Sequence, residues 1–236
     1  ARALEDKATP NKRLRRGAIV RIMKDEKGAW QLLQLPDAEG AFISVNPQNG
    51  AIRALVGGFD FNRNKYNHVT QAWRQPGSGF KPFIYSAALE KGFTPATIVN
   101  DAPVVVDPFL TGGQVWEPKN YDGKYEGPMR LRMGLARSKN MVSIRVLQAI
   151  GTQYAQDYVT RFGFDADKHP PYLTMALGAG SVTLWQMVRG YSVFANGGYK
   201  LEPYIVARIV DDHGSVLAQA QPQQAGDEAQ RVIDPR

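Results

Sequence analysis

The stretch RQPGSGFKPF, residues 74–83, decides how the rest of the chain is read. Phe80, Phe83, Ile84, Ala87 and Ala88 recur at i, i+3/4 and i+7/8, which predicts a helix from near Ser78 to Gly92. Pro82 is tolerated only in a helix's first turn and so puts the start close to Ser78. Residues i and i+3 share a helix face, so the Lys81 amine can approach the Ser78 hydroxyl. A serine is a poor nucleophile until a neighbour takes its proton. A partly desolvated lysine near a helix N-terminus can have its pKa lowered enough to do this. Backbone N–H groups of that N-terminus can stabilise an oxyanion, and Gly77 and Gly79 leave room for a substrate carbonyl. With 8 Ser and 12 Lys in 236 positions, about 0.4 Ser-x-x-Lys matches arise by chance. Alone, the motif does not exceed a capped helix followed by a surface lysine.

Sixty residues on, Ser138-Lys139-Asn140 interrupts two helical segments. A serine there could pass a proton to a leaving amine, and the Asn140 amide could hold a substrate amide. Helix-end capping is the competing reading for both. A second Ser-x-Asn, Ser44-Val45-Asn46, falls at a hairpin turn and reads as structural. Other chemistries fail. His68, His169 and His213 fall in predicted loops or turns without ligand-like spacing. No Gly-x-Ser-x-Gly elbow or phosphate loop occurs, and Gly178-Ala179-Gly180 lacks the third glycine of a dinucleotide fingerprint. The absence of cysteine removes thiol catalysis, disulfide scaffolds and zinc–thiolate sites together.

Around these motifs the chain reads as mixed α and β. Residues 18–23 and 29–35 alternate about a turn at Gly28, and residues 41–45 and 51–56 about Asn49-Gly50; both are predicted hairpins. Residues 93–126, rich in Pro, Gly, Asp and Asn, read as a long irregular excursion of the kind that is usually functional. Helical periodicity resumes from Pro128 and runs in segments to Ala195, with Thr152 and Ser181 or Thr183 as candidate N-caps. A last hairpin is predicted over 204–210 and 215–218. The net charge is +7, yet residues 1–37 hold 9 basic and 5 acidic residues (+4), and the remainder 20 and 17 (+3). The excess, which includes Lys12, Arg13, Arg15 and Arg16, is local and does not make the chain a nucleic-acid binder. No apolar run of membrane-spanning length occurs.

Taken together, the stretches at 40–61, 74–83, 120–140 and 176–198 resemble successive landmarks of the transpeptidase domain of class A (bifunctional) penicillin-binding proteins. The resemblance covers residues 17–218. It implies an α+β penicillin-binding protein/β-lactamase-like fold, an antiparallel sheet flanked by helices plus a helical lobe. Residues 1–37 would be the end of a small OB-like β-domain with its linker, and 38–236 the first portion of the transpeptidase domain. It further implies peptidoglycan D,D-transpeptidation on D-Ala-D-Ala stem peptides through a Ser78 acyl-enzyme. Lys81 would be general base, Ser138 proton relay and Asn140 substrate binder. β-Lactams would acylate Ser78; no cofactor, metal or nucleic acid is expected.

The family's Lys-[Ser/Thr]-Gly element occurs at none of the 12 lysines, and no glycosyltransferase motifs precede the hairpins. The chain is therefore expected to be a fragment, completed by a second polypeptide or a disordered continuation carrying that strand. The parent would be anchored in the bacterial envelope, on the periplasmic side of the inner membrane, and would also be a glycosyltransferase. A DD-carboxypeptidase, a β-lactamase-like hydrolase and a non-catalytic penicillin-sensing or binding module remain the alternatives.

Overall fold

Every β-element of the computed structural model is a two-stranded antiparallel ladder, and the helices supply the core. The structure describes residues 14–106 and 116–235. Lys12, Arg13 and the middle of the predicted excursion lie outside the described residues. The chain divides into two compact units, residues 1–39 and 40–236.

The first unit contains one hairpin, β1 (Arg21–Lys24) with β2 (Trp30–Leu33). Its turn is fixed by Asp25, whose carboxylate accepts from the Lys27 and Ala29 N–H groups. Ile22, Met23 and Trp30 are more than half exposed, so the hairpin buries little of its own apolar surface.

In the second unit, β3 (Phe42–Val45) pairs with β4 (Ile52–Val56) about the predicted Asn49-Gly50 turn. Gly77–Phe80 forms a single 3-10 turn, from which α1 (Lys81–Glu90) continues. The apolar positions Phe80, Phe83, Ile84, Ala87 and Ala88 are all 0% exposed, but so nearly are Lys81, Tyr85 and Ser86. A helix buried on all sides lies at the centre of a domain rather than on its surface. Around it stand α2 (Leu131–Ala136), α3 (Asn140–Ile150), α4 (Thr152–Thr160) and α5 (Leu184–Ala195). An aromatic cluster of Phe80, Phe83, Phe162, Phe164 and Phe194, with ring centroids 4.8–5.5 Å apart in contacting pairs, ties α1 to the segment after α4 and to α5.

Two readings of the sequence differ from the fold. The excursion contains a strand, β5 (Ile98–Asp101), which pairs with β6 (Gly127–Arg130). Helical structure therefore begins at Leu131, not Pro128, because the Pro128 region answers the β5 backbone first. Four residues are too few to declare a period of two, and proline in a strand is confined to edges. Among the candidate caps, Thr183 forms a full capping box with Gln186, whereas Gly151 takes the position before α4 and Thr152 begins it. The final hairpin is β7 (Arg208–Val210) with β8 (Val216–Gln219).

Candidate active site

Ser78 sits in the 3-10 turn, which is fastened from three sides. Behind it, the Gly77 N–H donates to Gly178 O at 3.3 Å. Gly178 has φ +71°, and a Cβ there would stand 2.1 Å from Gly77 O. Gly178, from the glycine pair that fails as a nucleotide fingerprint, thus serves as the backrest of the Ser78 turn. Arg74 and Val182 exchange two backbone hydrogen bonds of 2.9 Å just before the turn. On the far side, Tyr191 Oη in α5 donates to Gly79 O at 2.8 Å. The Thr183 cap that starts α5 therefore also sets the reach of Tyr191.

Lys81 opens α1 and is only 1% exposed. Its Nζ donates to Ser138 O at 2.7 Å, Ser138 Oγ at 3.0 Å and Asn140 Oδ1 at 2.8 Å. All three acceptors are neutral, so nothing offsets the loss of water, and burial pushes the Lys81 pKa down to about 8. The three-residue spacing from Ser78 does not make a hydrogen bond between the two side chains among the described residues. The lysine instead joins α1 to the residues around 138–140.

Ser138 lies in the break between α2 and α3, and it is the one non-glycine with positive φ (52°) among the described residues. Such a conformation costs about 1–3 kcal/mol and persists where surrounding contacts over-determine it. Those contacts are visible. Ser138 N–H donates to Leu135 O and Lys139 N–H to Gly134 O, both at 2.9 Å. Asn140 Nδ2 donates to Lys119 O at 2.8 Å.

Lys139, 3% exposed, points the other way. Its Nζ meets Asp122 and Glu126 at 3.0 Å and the buried Asp101 at 3.4 Å. Desolvation alone would lower its pKa, but hydrogen bonds from Glu126 and Asp122 and the charge of Asp101 outweigh it and raise the pKa above the ordinary lysine value. A cavity of about 440 Å³ is lined by Ser78, Ser138 and Asn140 together with Asn120, Tyr121, Asp122 and Arg137.

All four sequence-predicted site residues, Ser78, Lys81, Ser138 and Asn140, therefore meet at one place: three line the cavity and Lys81 binds two of them. Sequence reasoning missed Asn120, Asp101 and the part played by Lys139. Their only signal was position, in a polar excursion too long to be idle. His169, set aside as a loop residue, is 1% exposed and stacks on Phe80 at 4.6 Å between centroids. No group of His, Asp and Glu among the described residues could hold a metal ion.

A serine and a Ser-x-Asn turn thus border one cavity, with a buried lysine bonded to the turn. The chain belongs to the penicillin binding protein transpeptidase domain family, which matches residues 40–235. It is 49% identical to penicillin-binding protein 1A of Neisseria lactamica over all 236 residues, which is 29% of that relative's length. It resembles the crystal structure of penicillin-binding protein 1A from Haemophilus influenzae at TM-score 0.82 and 45% identity, covering 87% of this chain and 30% of that one. The PonA1 protein of Mycobacterium tuberculosis, solved in complex with penicillin V, matches at TM-score 0.67 and 27% identity over 78% of this chain and 51% of that one. The fold is thus the α+β fold of penicillin-binding proteins, of which the chain spans under a third in the curated relative.

Proposed function

We propose that this chain carries the acylation half of a peptidoglycan D,D-transpeptidase. The observation that supports it is the buried Lys81, whose Nζ reaches Ser138 Oγ at 3.0 Å and Asn140 Oδ1 at 2.8 Å on the cavity that Ser78 lines. Lys81 in its neutral form takes the Ser78 hydroxyl proton as Oγ attacks the carbonyl of the penultimate D-Ala of a stem peptide. Collapse of the tetrahedral adduct breaks the peptide bond to the terminal D-Ala. The leaving amine takes a proton from Ser138 Oγ, which recovers one from Lys81. An amine of a neighbouring stem peptide then attacks the acyl-enzyme, forms the cross-link and returns Ser78 to its hydroxyl form. Asn140, through its amide, fixes both Lys81 and the donor's backbone.

A β-lactam presents the same carbonyl but keeps its leaving nitrogen tethered, so its acyl-enzyme is long-lived. The strand bearing Lys-[Ser/Thr]-Gly would come from outside the 236 residues and supply the cation for the substrate carboxylate. The parent's site of action would be the outer side of the inner membrane. Among the described residues no helix is long and apolar enough to cross a membrane.

Fluorescent penicillin applied to the full-length protein tests the reading. One label per chain is expected, resistant to denaturant, mapped to Ser78 and absent in Ser78→Ala. Labelling that survives Ser78→Ala overturns the assignment. Label that is bound and rapidly hydrolysed moves the protein to the β-lactamase-like hydrolases.

A further inference from the structure

The turn that presents Ser138 and Asn140 to Lys81 is held by its own backbone on the α2 side and by a distant residue on the α3 side. At the start of α3 the capping position is Lys139, whose side chain makes no cap bond. The first free N–H groups of the helix are instead met by a residue from the excursion. Asn120 Oδ1 accepts from Asn140 N–H at 2.9 Å and from Met141 N–H at 3.3 Å.

The other end of the same amide is equally engaged. Asn120 Nδ2 donates to Asp101 Oδ1 at 2.7 Å and to Lys124 O at 2.8 Å. Asp101, at the end of β5 and 0% exposed, accepts from Glu126 N–H at 3.0 Å through its second oxygen. It also lies 3.4 Å from Lys139 Nζ. An ionised carboxylate only accepts hydrogen bonds, so Asp101 dictates which end of the Asn120 amide faces it. That in turn leaves the carbonyl end facing α3.

We propose that Asn120 and Asp101 form a positioning pair for acylation: Asp101 orients the Asn120 amide, and Asn120 holds the Ser138–Asn140 turn where Lys81 can exchange a proton with Ser138. The strained φ of Ser138 makes this support necessary, since a free turn would relax to negative φ and carry Oγ away from Nζ. The pair acts through Ser138 and Asn140. The proposal rests on the reading of Ser78 and Lys81 as the acylating residues.

The test measures penicillin acylation of the full-length protein, separating the acylation step k2 from the binding constant Ks and titrating label per chain. Asn120→Asp sets two carboxylates against each other, and Asp101→Asn removes the acceptor that orients the amide. Each is expected to lower k2 about tenfold to a hundredfold, the scale of a misplaced catalytic group, with Ks changed by less than k2 and label per active chain unchanged. The exchange variant Asn120→Asp/Asp101→Asn re-forms the amide–carboxylate hydrogen bond with the donor now at 101, and keeps an acceptor at 120 for α3 and the same net charge. It is expected to recover part of k2, since Lys124 O loses its donor. A general packing defect would lower the labelled fraction and would not be rescued by exchange. If both single variants keep k2 within about twofold of wild type, or if the exchange variant is no faster than either, the positioning role is overturned while Ser78 stands. A wild-type protein that takes no label removes both.

Discussion

Two lysines border the Ser138–Asn140 turn, and their surroundings drive them in opposite directions. Lys81 and Lys139 are almost equally buried, at 1% and 3% exposed. Lys81 faces a carbonyl, a hydroxyl and an amide oxygen. Lys139 faces three carboxylates, those of Asp101, Asp122 and Glu126. Burial disfavours the charged form of both, and only carboxylates supply an opposing charge. Hence the pKa of Lys81 falls to about 8, where it can give up a proton near neutral pH. Lys139 rises above its ordinary value and stays a cation. Burial alone does not decide a lysine's role; the formal charge of its acceptors does.

Replacing each lysine with methionine should separate the two roles most widely. Lys81→Met removes the proposed base, and penicillin acylation is expected to fall by about 10²–10⁴, the usual contribution of a general base. Its melting temperature should fall less than that of Lys139→Met, because the acceptors left without a donor are neutral and no opposite charge is unpaired. Lys139→Met leaves the buried Asp101 carboxylate without its cation and should cost about 3–5 kcal/mol of stability. Acylation by its folded fraction should suffer less than in Lys81→Met. Thermal melting with acylation rates on both variants checks this, and a Lys139 variant of unchanged stability would break the contrast.

The contrast can also be sharpened by giving Lys81 what Lys139 has. With Lys81 as the proposed base, the acylation rate should rise with pH and level off above about 8. Asn140→Asp replaces one neutral acceptor of Nζ with a carboxylate and should hold the proton more tightly. The acid limb of the pH–acylation profile then moves to higher pH, and each unit of movement lowers the rate at pH 7 about tenfold. A limb that stays in place would mean that Lys81 is not the group titrating.

Much of this site was legible as types and spacing. Ser78, Lys81 and Pro82 announced a helix start, and Ser181 or Thr183 a helix cap, because such signals are local in the chain. The meeting of Ser138 and Asn140 with Lys81 across 57 and 59 residues was reached through family resemblance, not from the spacing of the residues themselves. Asp101 and Asn120 carried no local signal at all. Asp101 is buried at the end of a four-residue strand inside a polar stretch, where an acidic residue reads as solvated. Gly178 was visible only as part of a failed fingerprint; its close approach to Gly77 exists only in three dimensions.

A third buried base extends the comparison with a smaller effect. His169 packs against Phe80 and Phe164, and a Cβ on Gly180 would stand 2.2 Å from its Nδ1. Neither ring nitrogen has a hydrogen-bond partner among the described residues. Desolvation outweighs the attraction of Asp165 and Asp167, and its pKa falls from 6.5 to about 4. Between those values the unfolded chain binds the proton and the folded one does not. The contribution of neutral His169 to stability is therefore complete above pH 6.5 and is lost as the pH falls towards 4. At pH 6 the loss is about 1 kcal/mol, and it grows to about 3 kcal/mol below pH 4. Because His169 stacks on Phe80 in the turn that carries Ser78, acid should loosen that turn. Denaturant unfolding of wild type and His169→Phe across pH 4–7 measures the effect as a difference in slope. Equal slopes would mean that folding leaves the His169 pKa where it stands in the unfolded chain, and that burial beside Phe80 and Phe164 does not neutralise this base.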